Sequence, residues 1–178
     1  MRLVLLGGAP GVGKSAVART VLARHAGPVG SAPLLQWVDV DALWLHQPRR
    51  VDGAMRDLVT GNLAAVLAGA ARAGVEVVLV TWTSHAEELR DVVRAAAPAG
   101  TPSTTVQLVA QEPSWRGRFE ADPWRTAPDA FYERRYAEAQ AAARDADVVV
   151  DTTDRPLTDC AAEVARVALL GARRSAGR

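Results

Sequence analysis

The sequence predicts an α/β domain: a three-layer sandwich with a five-stranded parallel sheet between helices. Three observations carry this. Short apolar runs, such as 3–6 (LVLL) and 75–81 (VEVVLVT), recur along the chain, and continuous apolar runs mark strands buried on both faces. Longer stretches of helical composition follow the runs, and several close at Gly or Pro. Strands that alternate with helices pair in parallel and are covered on both sides.

The elements follow in order. Residues 3–6 form the first strand, broken by glycines. Helix 15–25 has Val17, Val21 and Leu22 on one side and Gly27-Pro28 as its stop. Strand 34–40 ends in two aspartates, Asp39 and Asp41 being two apart. Helix 54–73, rich in Ala and Leu, closes at Gly74, and strand 75–81 follows. Helix 86–97 stops at Pro98 and Gly100, before strand 104–110. Residues 111–128 break the rhythm with three prolines, two tryptophans and three arginines; a long irregular segment in a compact domain is usually functional, and this one is expected to be a lid. Helix 129–144, strand 147–150, a turn at 151–156 and helix 157–170 complete the pattern.

At 178 residues the chain is expected to form one domain over 1–171, with 172–178 as a flexible basic tail. Its 49% apolar and 23% charged residues are those of a globular protein. A net charge of +1 gives no electrostatic case for nucleic acid or a membrane surface. No apolar run approaches the roughly 20 residues of a membrane span, and residues 1–6 are too short for an export signal. A single cysteine, Cys160, excludes an intramolecular disulfide and fits a reducing cytoplasm, the expected location. The oligomeric state is left open.

Residues 8–15 read GAPGVGKS, a match to G-x-x-x-x-G-K-[ST] between a strand and a helix. Lys14 is the only lysine; the other 20 basic side chains are arginine. An ammonium is a compact donor that reaches phosphate oxygens as a point charge, where guanidinium is a flat fork. Gly8, Gly11 and Gly13 let the backbone turn so that amides from Gly11 through Val12, Gly13, Lys14 and Ser15 to Ala16 face an anion at a helix start. Ser15 is the expected Mg²⁺ ligand through its hydroxyl. The expected ligands are therefore ATP and Mg²⁺.

Absent residues narrow the class. Base-reading GTPases use an Asn-Lys pair, but this chain has one asparagine, Asn62, and no second lysine. No LSGGQ-like signature is present, and the chain is short for a ring ATPase with its extra helical domain. The third strand ends in Val80, Thr81 and Trp82, where many P-loop ATPases have a carboxylate. The acidic groups are Asp39 and Asp41 instead. On a strand, residues two apart share a face, which suits one carboxylate near a metal and the other near an acceptor hydroxyl. They also read as caps of the helix starting near Leu43.

Residues 8–15, VDVDAL at 38–43 and VVVDTTD at 148–154 resemble the small-molecule P-loop kinases, among them shikimate kinase, gluconate kinase and the chloramphenicol phosphotransferases. The last group is most similar: its VDSL corresponds to 40–43, its ARAG to 71–74 and its VDTT to 150–153. The resemblance covers most of the chain. It implies a nucleoside-monophosphate-kinase-like topology with a lid, Asp41 as the base that activates the acceptor hydroxyl, and Asp39 as the aspartate near the metal. It also implies lid arginines and adenine packing on the turn 152–156, which contains Arg155. The phosphotransferases carry acidic residues where this chain has Val80 and Thr81, so a different acceptor pocket is expected.

Among Arg116, Arg118 and Arg125, the first two are expected to act first, because the lid begins there; an arginine stabilises charge on a transferring phosphoryl group. Trp115 and Trp124 lie beside them. Trp44, Trp82, Arg49, Arg50 and Arg56 follow the second and third strands and are candidates for the acceptor pocket, Arg56 and Trp82 being put forward. The expected partner is a small molecule bearing a hydroxyl, and the expected activity ATP-dependent phosphorylation of it. A nucleoside or nucleotide kinase, with a second phosphate grip among Arg49, Arg50 and Arg56, is an alternative. So is a nucleotide-dependent regulatory protein without acceptor chemistry. His25, His46 and His85 have no metal-ligand spacing.

Overall fold

A computed structural model describes residues 1–170 apart from Val29, Ser31, Arg49, Trp124 and Thr126. Five parallel strands form one sheet in the order β2-β3-β1-β4-β5: β1 (Arg2–Gly8), β2 (Leu35–Asp39), β3 (Val77–Thr81), β4 (Ser103–Val109) and β5 (Val148–Asp151). The helices are α1 (Lys14–Arg24), α2 (Gly53–Arg72), α3 (Glu87–Ala96), α4 (Glu112–Glu120), α5 (Ala130–Ala141) and α6 (Leu157–Leu170).

The strands are apolar because both faces are covered. Val4 and Leu6 of β1, with Val77 and Leu79 of β3, pack under Val17 and Val21 of α1 and Val164 of α6. The alternate residues Leu3, Leu5, Val78 and Val80 meet Leu63 and Leu67 of α2 and Val93 of α3. Period-two alternation thus feeds two cores instead of one core and solvent. Asp52 caps α2 by accepting from the Met55 amide, and Asp129 caps α5 by accepting from Phe131 and Tyr132.

Two expectations change, and the strand order adds a separation. The second strand stops at Asp39, and Val40–Trp44 is a 3-10 turn; Asp39 Oδ1 accepts from the Asp41 amide, so the expected cap is real, but the two aspartates lie on different elements. The segment 111–128 is not wholly irregular: Glu112–Glu120 is helical, with Pro113 in its first turn and Trp115 and Phe119 fully buried. Strand β3 lies between β1 and β2, so the phosphate-loop strand and the aspartate-bearing strand are not neighbours. The expected tail, 172–178, together with Arg49 and Trp124, lies outside the described residues. Among the described residues no helix is long and apolar enough to cross a membrane, and no cluster of metal-ligating side chains occurs.

Candidate active site

Strand β1 ends at Gly8, in the middle of the sheet, and the chain turns into α1 within five residues. The turn requires glycine. A β-carbon at Gly8 would lie 2.8 Å from the Leu108 carbonyl oxygen, and at Gly11, with φ +83°, 2.9 Å from Phe119 Cδ2. No side chain caps α1. Its first-turn amides are left to an outside acceptor, at the positive end of the helix.

Lys14 folds back over this turn. Its Nζ donates to the Gly8 and Ala9 carbonyls, both at 2.9 Å, and only 8% of the residue is exposed. Burial lowers its pKa to about 8, with Asp41 pulling upward, Arg125 downward and Asp39 upward again. Those three side chains, from the 3-10 turn, the segment after α4 and the end of β2, are therefore close enough to Lys14 to act on its charge. A buried ammonium bonded to two carbonyls is loosely committed: an anion in the loop offers stronger, charge-assisted partners.

Ser15 Oγ donates to Asp39 Oδ2 at 3.0 Å. The contact crosses from one strand system to another. Asp39, Thr81 and Leu6 lie at one level across β2, β3 and β1, and α1 spans the intervening strand, with Arg19 over the Trp37 ring at 5.8 Å. Thr81, at the end of β3, accepts from Trp37 Nε1 at 2.9 Å. The position that lacks a carboxylate thus anchors β2, which carries Asp39. Asp41 is exposed, beside the loop.

The lid arginines diverge in their contacts. Arg116 pairs with Glu112 at 2.9 Å and Glu133 at 3.0 Å, tying α4 to α5. Arg118 donates to Thr152 O at 3.0 Å and Thr152 Oγ1 at 3.2 Å, holding α4 to the turn after β5. Arg125, given no priority from sequence, stacks over Phe119 at 4.8 Å and is the one that acts on Lys14. Arg155 donates to Asp151 O and pairs with Glu163 at 3.0 Å, at the rim of the same turn. Trp82 and Trp44 are half-buried against the α2–α3 core; Arg56 is exposed on α2, and Arg50 is held by Asp52 at 2.7 Å. A cleft of about 300 Å³ between α3 and α5, lined by His85, Arg90 and Glu138, shares no residue with the loop.

The loop, its lysine and the Ser15–Asp39 pair fall within residues 3–122, which match the family model described as AAA domain. The chain belongs to the AAA domain family. The match to this AAA domain protein ends just after α4, before α5 and β5. The fold extends over the whole chain. A sugar kinase from Janibacter sp. HTCC2649 aligns with a TM-score of 0.67 at 19% identity, covering 100% of this chain and 99% of that one. The Mycobacterium tuberculosis APS kinase, solved with AMPPNP and APS, aligns at 0.64 and 22% identity, covering 96% and 97%. Shikimate kinase from Aquifex aeolicus aligns at 0.57 and 19%, covering 99% of each chain. A search of curated proteins finds no match. The AAA domain protein therefore has the fold of small-molecule P-loop kinases, as the resemblance in its motifs implied.

Chemically, the arrangement offers the AAA domain protein an anion cradle of backbone amides, one cation inside it, a hydroxyl–carboxylate pair beside it and a second carboxylate in solvent. Sequence reasoning placed Trp115 beside the lid arginines but missed Phe119 and the helix that carries both. Their i, i+4 spacing after Pro113 was the available signal, hidden by the density of Pro and Trp around it.

Proposed function

We propose that this chain is an ATP-dependent kinase that phosphorylates a hydroxyl of a small molecule. The observation that carries the reading is the Ser15–Asp39 bond at 3.0 Å beneath a loop whose buried lysine also feels Asp41. An isolated anion site needs no second carboxylate; a phosphoryl-transfer site needs one group for the metal and one for the acceptor.

The residues fit Mg–ATP. Three glycines of positive φ shape the loop, and no side chain occupies the start of α1. Ser15 and Asp39 form a hard oxygen pair that suits Mg²⁺. Mg²⁺ held there would neutralise charge on the triphosphate. Lys14 exchanges two carbonyls for phosphate oxygens and regains full charge as the anion raises its pKa. Asp41 accepts the proton of the acceptor hydroxyl. Arg125, brought over the loop by Phe119, stabilises negative charge on the transferring group. Arg155 and the turn after β5 are assigned to the base of the nucleotide in this reading. Among the described residues, Arg50 is held by Asp52 and Arg56 is exposed on α2, and neither favours the nucleotide-kinase alternative.

The single lysine makes the test direct. Acylation of Lys14, counted by mass spectrometry, should be blocked by Mg–ATP, and Asp41→Asn should keep that protection while losing acceptor-dependent ADP release. An Asp41→Asn protein that transfers phosphate at near-normal rate removes Asp41 from the mechanism. Unprotected Lys14 at millimolar Mg–ATP removes the nucleotide.

A further inference from the structure

We infer that Trp115 and Phe119 are positioning residues for the phosphate loop: they hold Pro10 and Gly11 in the anion-binding shape and thereby set nucleotide affinity. The inference rests on the proposed triphosphate reading of the loop. Both side chains are 0% exposed, so neither reaches a ligand itself.

The contacts are specific. Trp115 Nε1 donates to the Pro10 carbonyl at 2.7 Å, which ties that oxygen to the indole. Phe119 packs closely on Gly11, the residue whose φ of +83° turns the loop: a β-carbon there would lie 2.9 Å from Phe119 Cδ2 and 3.3 Å from its Cβ. The two rings sit one helical turn apart on α4 and grip consecutive loop residues. A loop free to relax would have to be reordered when the anion arrives, and that ordering cost is subtracted from affinity.

Helix α4 is itself anchored at the carboxyl ends of two strands. Trp115 stacks on Tyr136 at 4.4 Å between centroids. The Tyr136 hydroxyl donates to Ala110 O, next to the end of β4, at 2.8 Å. Arg118 donates to Thr152 O, next to the end of β5. The restraint thus runs from the sheet edge through α4 into the loop. Phe119 also receives Arg125 on its ring at 4.8 Å, while Asp122 Oδ2 accepts from Arg125 Nε at 2.9 Å, so Phe119 and Asp122 together hold the cation beside the loop.

Trp115→Phe removes the N–H and keeps a ring for Tyr136. Phe119→Leu keeps apolar bulk and removes the aromatic ring that packs on Gly11. Val93→Ala, in the other core, reports on lost stability alone. The probe is Mg–ATP by calorimetry, with thermal melting and the rate of Lys14 acylation without nucleotide. Both α4 variants should raise Kd about fivefold to tenfold and speed Lys14 acylation, because a loosened loop releases Nζ from Gly8 O and Ala9 O. Val93→Ala should lower Tm with Kd within twofold of wild type. Wild-type Kd and acylation rate in both α4 variants, or an equal rise in Kd for Val93→Ala, would overturn the inference. If one α4 variant fails to fold, the other decides. No binding by wild type overturns the triphosphate reading and this inference with it, whereas binding by wild type with unchanged α4 variants overturns this inference alone.

Discussion

Lys14 should make the folded protein gain stability as pH rises through the alkaline range. Its pKa falls from 10.5 to about 8, chiefly by burial. Between those values the native chain has released this proton and the unfolded chain still holds it, so stability climbs with pH. The whole shift is worth about 3 kcal/mol at roughly 1.4 kcal/mol per unit. About 2 kcal/mol of it develops between pH 7 and 9.5, a Tm difference of roughly 4–8 °C for a domain of this size. Arginine does not titrate in that range, and with one lysine in the chain no other ammonium side chain contributes. The assay is chemical denaturation of wild type and Lys14→Met at several pH values. Subtracting the variant cancels Cys160, whose thiol burial pushes up. The difference should move in favour of wild type by about 2 kcal/mol on going from pH 7 to 9.5. Mg–ATP should abolish the trend by raising the lysine pKa, and its affinity should fall above pH 8. A flat or falling difference without nucleotide would refute the claim that the ammonium is held at a desolvation cost.

Other outcomes follow from the same geometry. Asp39→Asn keeps an acceptor for Ser15 and the Asp41 amide but loses the charge, so the Mg²⁺ concentration needed for ATP binding should rise about tenfold with little change in Tm; an unchanged titration would remove Asp39 from the metal site. Arg125→Ala should lower phosphoryl transfer about a hundredfold, while Arg116→Ala, which breaks exposed pairs with Glu112 and Glu133 and a 5.8 Å contact over the Trp115 ring, should stay within about twofold; steady-state rates with any acceptor found by screening would reveal the opposite order. Arg90 is 1% exposed and donates to Ala142 O at 3.0 Å and Asp145 O at 3.2 Å. Arg90→Met leaves both carbonyls unpaired and should cost about 2–4 kcal/mol in urea unfolding, with Mg–ATP affinity retained.

The cradle was legible in the sequence because its chemistry is local. Gly8, Gly11, Gly13 and Lys14 act within one turn, and their spacing is itself the structure. Asp39 and Asp41 were legible as a pair but not as a geometry: strand propensity does not say where β2 stops, and the Asp39 side chain, by capping the turn that follows, ends it. Arg125 was not distinguishable from Arg116 and Arg118 by sequence. What separates them is which face of α4, or which side of its end, each occupies, and α4 itself was obscured by residues that usually break helices.

By itself the sequence determined that strands alternate with helices, that both faces of the sheet are apolar, and that one ammonium sits in a glycine-rich loop between a strand and a helix. These follow from hydrophobic period and backbone freedom, which neighbouring residues fix. Only the tertiary structure decided that β3 separates the loop strand from the aspartate strand, that α1 carries Ser15 across it to Asp39, and that Trp115 and Phe119 reach back to Pro10 and Gly11. Those contacts join residues 24 to 108 positions apart, and no local preference records which distant surface a side chain will meet.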